Sequence, residues 1–249
     1  MKVFLIPPTF SDLNVAKLTL FIFIKTLFVV VTLVPVVFWA TETELYVYEM
    51  IIIITRPAIL VSNIIFSPIA NGNILSKLRT LMEDSNLPPP RRGSLILFSA
   101  LCMLVHTVFS VYSRMKSAWW RIFLHVLANC FWALEVAGAQ FITGSAVAQF
   151  LKIKPTTDKK DLILELNIIL ETYRNFKGAM SFSLFINFIL QTFPAISYTY
   201  LSIDYFYTGI AQVMTAFLFS VSCYINLSFL ALVANDAFEH FQTVIQKAW

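Results

Sequence analysis

The segment LELNIILETYRNFKGAMSFSLFINFILQTFPAISYTYLSI, residues 164–203, decides the fold class. Its first half carries Glu165, Glu171 and Arg174 in a helical pattern, whereas its second half is almost entirely apolar. A helix with a charged side needs water beside it, and a helix that is apolar all round needs lipid or a protein core. The segment therefore predicts one helix that begins in water and ends in a membrane.

The composition of the whole chain supports a membrane environment. Of 249 residues, 58% are hydrophobic and 13% are charged, and the mean hydropathy is +0.76. Soluble domains carry about 25% charged residues, so this chain lies far outside their range. Period-2 alternation is absent and glycine is scarce, which argues against a membrane β-barrel and favours a bundle of α-helices.

Apolar windows long enough to cross a bilayer occur along most of the chain. About 20 helical residues cross about 30 Å of hydrocarbon at 1.5 Å per residue. We predict an all-α, polytopic membrane protein with a single membrane domain over residues 1–249 and six spans. The predicted spans are 18–40, 46–68, 94–113, 119–150, 179–203 and 206–235.

The distribution of Lys and Arg predicts the orientation. With a cytoplasmic N-terminus, the inner segments hold Lys2, Lys17, Lys77, Arg79, Arg91, Arg92, Lys152, Lys154, Lys159, Lys160, Arg174, Lys177 and Lys247. The outer segments then hold only Arg114, Lys116 and Arg121. This bias favours both termini in the cytoplasm. The net charge of +4 is therefore a topology signal and gives no reason to expect a nucleic-acid partner.

Residues 159–177 predict a cytoplasmic helical extension that runs into the fifth span, and the long fourth and sixth helices are also expected to project into the cytosol. An apolar stripe follows this extension at 4-3-4-3 spacing. The stripe consists of Leu162, Leu166, Ile169, Tyr173 and Phe176. It has two interpretations: packing on a neighbouring helix of the same chain, or a seam between subunits of an oligomer.

Residues 166–200, LNIILETYRNFKGAMSFSLFINFILQTFPAISYTY, resemble the fifth helix of insect gustatory receptors. The segments LSKLRTLMEDSNL, AVAQFLKIK and ANDAFEHFQTVI are also similar to segments of that family. The resemblance implies a subunit of a ligand-gated cation channel in the cell membrane, working as a tetramer. It also implies that a small tastant or odorant-like molecule binds in a pocket in the outer half of the bundle.

One feature of the family has no counterpart here. Its members carry a seventh, pore-lining helix with Thr-Tyr, five apolar residues and Gln-Phe. The chain printed here ends at Trp249, and its nearest similar segment, TGSAVAQF at 143–150, lacks the Tyr and lies in the fourth span. Within the family, the sequence is therefore expected to be a truncated, alternatively spliced or divergent member.

Two charged residues within the spans are predicted to form an interhelical ion pair. Lys25 lies about 12 Å and Glu135 about 8 Å from the inner boundary by helix rise, so the two can meet. The alternatives are a Lys25 that extends inward to the headgroups and a role in gating or ion passage.

Other polar residues in the spans are candidates for ligand binding. Arg56 lies about 15 Å below the outer boundary beside Pro57, where it is satisfied by loosened backbone carbonyls or lines a wet cavity. His106, His125, Asn129 and Gln212 fall at middle or outer depth. Each alone is explained by an interhelical hydrogen bond, and together they would line an outward-facing pocket.

The sequence shows no catalytic motif, so we predict neither an enzyme nor a cofactor or metal site. The other function class is a six-helix transporter or another multipass membrane protein. Pro57 and Pro194 occupy matching places if the chain is divided into halves of three spans, a pattern found in transporters with broken helices. The two halves show no further similarity.

The orientation can be tested with epitope tags. We expect tags at both termini to be detected only after permeabilisation of the cell, and a tag inserted at Thr43 to be detected on intact cells. A C-terminal tag that is accessible on intact cells would contradict either the sixth span or the orientation.

Overall fold

The computed structural model shows a bundle of long helices. It describes residues 19–20, 23–24, 26–27, 29–31, 33–34, 50–51, 54–55, 57–58, 89–113, 115, 119–151 and 162–248. Nearly all of these residues are helical, and no β-strand occurs among them. The described residues within 19–34 and 50–58 are helical and fall inside the first two predicted spans.

Four long helices are described from end to end. α1 covers Gly93–Ser113, α2 covers Trp119–Phe150, α3 covers Leu162–Asp204 and α4 covers Ile210–Ala248. Each contains a window long and apolar enough to cross a membrane. The protein is thus an α-helical chain with at least the length and composition for four membrane crossings.

Helices α1 to α4 overlap the third to sixth predicted spans. α1 and α2 match the third and fourth predicted spans to within one residue. α3 is a single helix of 43 residues, so the extension from Leu162 and the fifth span form one continuous helix. The sixth span is predicted to begin at about residue 206, whereas α4 itself begins at Ile210, after a 3-10 turn over Tyr205–Tyr207.

Glycine at position 209 allows this delayed start. Gly209 has a φ angle of +154°, a conformation that residues with a Cβ atom rarely adopt. The turn reverses the chain direction, so α3 and α4 pack as an antiparallel pair. Pro194 is fully buried within α3, and Ser220 of α4 donates a hydrogen bond of 3.0 Å to the neighbouring Ala195 backbone oxygen.

We name the half of the bundle that contains the turn between α3 and α4 its outer part and the opposite half its inner part, for their place in the bundle alone. One aromatic ring lies at the centre of the outer part. Phe219 of α4 is fully buried. Its ring centroid lies 5.2 Å from that of His106 on α1, 6.2 Å from that of Trp132 on α2 and 4.2 Å from that of Tyr198 on α3. Because aromatic pairs at these distances attract each other, α4 is held against α1, α2 and α3 at this level.

The inner part of the bundle is packed by apolar residues. Val147, Phe229 and Val233 are fully buried there. They belong to a cluster that also contains Phe150, Leu230 and Ala237. Tight packing of this kind holds membrane helices together, because lipid tails are as apolar as the side chains themselves.

A short segment before α1 ties the ends of the helices together. Asp236 of α4 accepts hydrogen bonds from Arg91 Nε at 3.0 Å and from Arg92 Nη2 at 3.0 Å. The Arg91 backbone N–H donates to the Gly144 carbonyl of α2 at 3.0 Å. The pKa of Arg92 is raised because Asp236 accepts its hydrogen bonds and attracts its charge. We call Pro90–Arg92, Gly144 and Asp236 the end clamp.

The end clamp predicts a difference between two glycines. A Cβ atom at Gly144 would lie 2.9 Å from Arg91 O and 3.0 Å from Pro90 Cβ, whereas one at Gly93 would lie 3.4 Å from Pro90 Cγ. Gly→Ala inside a helix ordinarily stabilises by about 0.5–1 kcal/mol. We therefore expect Gly144→Ala to lower the melting temperature of the purified protein and Gly93→Ala to leave it unchanged or raise it. Equal melting temperatures for the two variants would contradict the close approach at Gly144.

Candidate functional site

Many polar side chains are buried between the helices. Such residues are expensive in a membrane core unless they are hydrogen-bonded, so each has a structural or a functional explanation. Several of those on α1, α2 and α4 form two layers: an outer layer at the level of His106 and a lower layer at the level of Ser99. The layers are seven residues apart on α1, or about 10 Å at 1.5 Å per residue.

The two histidines of the outer layer make interhelical hydrogen bonds. His106 is 2% exposed, and its Nδ1 lies 2.8 Å from the Thr215 backbone oxygen of α4. A carbonyl oxygen only accepts, so His106 Nδ1 is the donor. His125 of α2 is half-buried, with its Nε2 2.6 Å from Ser110 Oγ of α1. Both histidines thus make the interhelical hydrogen bonds that were one of the two explanations offered for them from the sequence.

Asn129 lies one helical turn from His125 on α2. Its side chain is 1% exposed, and neither its Oδ1 nor its Nδ2 has a hydrogen-bond partner among the described residues. α1 and α2 run antiparallel, because Ser110 bonds to His125 while Met103 packs in the same cluster as Trp132. This register places Asn129 at the level of His106. Asn129 is thus a buried amide, without a described partner, in the outer layer.

Gln212 lies at the outer end of the bundle. It is half-buried in the first turn of α4, where its Oε1 lies 2.6 Å from the position that a Cβ atom of Gly209 would take. It is one turn beyond Thr215, the residue that His106 contacts. The structure therefore brings His106 and Asn129 to one level, His125 one turn further out, and Gln212 beside the turn between α3 and α4.

The predicted charged residues are only partly described. Arg56 and Lys25 lie outside the described residues, so the ligand-binding role of the first and the ion pair of the second stay predictions. Glu135 is described and is buried on α2, with 8% of its surface exposed.

Of the apolar stripe predicted on α3, the structure describes the side chain of one residue, Tyr173. The ring of Tyr173 stacks on that of Phe241 of α4, with centroids 3.9 Å apart and planes 10° from parallel. Phe150 at the end of α2 lies 5.9 Å from Tyr173. This contact fits packing within the chain. Leu162, Leu166, Ile169 and Phe176 lie on the same helix, but their side chains are outside the described part of the structure.

The lower layer of polar residues was not predicted from the sequence. Asn226 Oδ1 of α4 accepts hydrogen bonds from Ser99 Oγ of α1 at 2.7 Å and from Gln140 Nε2 of α2 at 2.6 Å. Ser222 Oγ lies 2.9 Å from Ser99 Oγ. All four side chains are buried. These residues could have been noticed in the sequence as uncharged polar residues within three predicted spans. Whether their side chains contact one another, however, depends on the register between the helices.

The described residues offer no arrangement for metal binding. No group of three or more His, Cys, Asp or Glu side chains comes together in the part of the chain that the structure describes. Cys102, Cys130 and Cys223 form no disulfide bond with one another. The chemistry available in the two layers is therefore neutral hydrogen bonding beside aromatic rings.

Comparison with known proteins gives no relative for this chain. No protein-family model, no curated protein and no solved structure matches it. The resemblance to the gustatory receptor family thus depends on the segments quoted above and stays a hypothesis.

The two buried asparagines should respond differently to the same substitution. Asn129→Leu removes an amide that has no described partner, whose burial costs about 1–3 kcal/mol, so we expect the melting temperature to stay the same or rise. Asn226→Leu removes the acceptor of two hydrogen bonds and leaves Ser99 and Gln140 without it, so we expect the melting temperature to fall. Thermal unfolding of both detergent-purified variants measures the difference. A similar loss in both would show that Asn129 also has a structural partner.

Proposed function

We propose that this chain is a receptor subunit of the gustatory type in the cell membrane. A small molecule enters from the outside, binds in the outer layer, and shifts the equilibrium between closed and open packings of a ligand-gated cation channel. The subunit works in a tetramer with itself or with related subunits that supply the seventh, pore-lining helix. The similarity of residues 166–200 to the fifth helix of that family supports this proposal.

The observation that carries the proposal is the buried amide of Asn129. An unpartnered amide in a membrane helix lowers stability, and residues that break a local stability rule occur mostly at functional sites. Asn129 lies at the level of His106 and one turn from His125, and all three can hydrogen-bond a neutral ligand. A ligand that takes the Asn129 amide as its partner would supply the missing hydrogen bonds.

The packing around Phe219 supplies a route from the outer layer to the rest of the bundle. Phe219 contacts the rings of His106, Trp132 and Tyr198, so a ligand beside His106 acts on a residue that holds α4 against three helices. α4 continues inward to Asp236 in the end clamp. A ligand changes such a packing only if it binds the open and closed arrangements with different affinity.

The transporter alternative has less support from the described helices. That alternative depends on Pro57 and Pro194 as matching places where a helix would be broken in each half of the chain. Pro194, however, lies inside the continuous helix α3. Ser220 and Thr199 donate hydrogen bonds to the Ala195 backbone oxygen beside it, at 3.0 and 2.8 Å. Proline in an unbroken, packed membrane helix is common and does not require an ion-binding break.

The proposal predicts a selective loss of response in one variant. The chain is co-expressed with a complete seven-helix gustatory receptor, and cation current is recorded with a panel of sugars, bitter alkaloids and short fatty acids. We expect Asn129→Leu to reach the cell surface and to lose the response of the parent. The matched control is Thr143→Val on the same helix. The Thr143 hydroxyl donates only to the Ala139 backbone oxygen, one turn earlier in α2. We therefore expect this variant to keep the response.

Two results would separate the parts of this proposal. A parent chain that changes no current with any partner or compound would contradict the receptor function. A parent that responds, together with an Asn129→Leu variant that responds equally, would contradict the site while leaving the receptor function in place.

A further inference from the structure

A small cavity lies between α1, α2 and α4 at the level of the lower layer. Its volume is about 10 Å³. Ser99, Gln140, Ser222 and Asn226 line it together with the larger side chains of Met103 and Trp132. A space of about 10–15 Å³ is what one water molecule needs, provided that polar partners surround it. Whether the cavity suits a water molecule therefore depends on which hydrogen-bonding groups of its lining are still available.

The bonds within the lower layer use only part of its capacity. Asn226 Oδ1 accepts from Ser99 Oγ and from Gln140 Nε2, which occupies both of its lone pairs. Ser99 has one hydroxyl hydrogen and gives it to Asn226. The 2.9 Å contact between Ser99 and Ser222 is therefore donated by Ser222.

Hydrogen-bonding groups of both kinds, donors and acceptors, remain available on the residues that line the cavity. Gln140 Oε1 is buried and has no hydrogen-bond partner among the described residues. Ser222 Oγ gives its hydrogen to Ser99 and keeps its lone pairs. Asn226 Nδ2 donates to no other described residue, since the bonds of this side chain all go to its oxygen. Without a ligand, Gln140 would hold a desolvated acceptor at a cost of about 1–3 kcal/mol.

We propose that this cavity is a binding site for one water molecule. The water donates its two hydrogens to Gln140 Oε1 and Ser222 Oγ and accepts a hydrogen from Asn226 Nδ2. Three bonds are the usual number for a buried water. The water completes a polar layer that links α1, α2 and α4, in contact with Met103 and Trp132. This site is independent of the proposed receptor function, because it depends only on the cavity and its hydrogen-bonding groups.

Radiolytic labelling tests the site in the intact protein. A brief X-ray pulse converts bound water into hydroxyl radicals, which oxidise the side chains that touch it. Met103 is 4% exposed and lines the cavity, whereas Cys102 is 7% exposed, is adjacent on α1 and does not line it. Both sulfur side chains oxidise readily. After equilibration in ¹⁸O water, we expect Met103 to gain ¹⁸O several-fold faster than Cys102. Labelling of Met103 no faster than that of Cys102 would overturn the proposal.

Cavity-filling variants provide the control. Ala137→Val adds two methyl groups to the lining from α2 while keeping every polar group, and Ala100→Val does the same from α1. In whichever variant folds, as judged by its melting temperature and monodispersity, we expect the labelling of Met103 to fall to the level of Cys102. Labelling of Met103 at the parent rate in a folded variant would show that the radicals come from elsewhere, and the site would be rejected.

Discussion

A single amide oxygen links three membrane helices in this protein. Asn226 Oδ1 on α4 accepts from Ser99 on α1 and from Gln140 on α2, at 2.7 and 2.6 Å. Hydrogen bonds between membrane helices contribute modestly, about 0.6 kcal/mol on average and up to about 2 kcal/mol. Their geometry nevertheless fixes how far each helix can slide or rotate against its neighbour. Because an unpaired polar group in hydrocarbon is costly, most other registers of these helices are disfavoured.

The packing above and below this layer follows from the register that it fixes. About one to two helical turns outward from this layer, the ring of Phe219 contacts the rings of His106, Trp132 and Tyr198. Inward, Val147, Phe229 and Val233 close the bundle with apolar contacts. At the inner end, Arg91 and Arg92 bond to Asp236, and Gly144 allows the chain before α1 to touch α2. α4 takes part in each of these layers.

This central position of α4 connects the architecture to the proposed function. A ligand in the outer layer would contact residues that touch α4, and α4 carries the polar layer and the inner carboxylate on the same helix. Asn129 lies where we propose that such a ligand binds, and both polar atoms of its buried amide are without a hydrogen-bond partner among the described residues. The lower layer, by contrast, is completed in our proposal by one water molecule. In the proposed function the two layers therefore have different roles: the lower one holds the helices in register, and the outer one binds the ligand.

The sequence alone determined that this chain forms apolar helices. It also predicted the ends of α1 and α2 to within one residue. Hydropathy and the length needed to cross lipid are local properties that can be read from any window of about 20 residues. The exception is the start of α4, since the 3-10 turn at Tyr205–Tyr207 is not distinguished by apolar composition. The cytoplasmic orientation and the function remain predictions from the same sequence.

Only the tertiary structure decided which polar residues meet. His106 and His125 were selected by depth, but their partners Thr215 and Ser110 were not identifiable. Asn226, Gln140 and the pairing of Arg91 with Asp236, 145 residues apart, were not anticipated at all. The physical reason is that the rotation and sliding of one helix against another are set by close packing and by hydrogen bonds between distant segments. An apolar pattern surrounded by lipid contains little information about either.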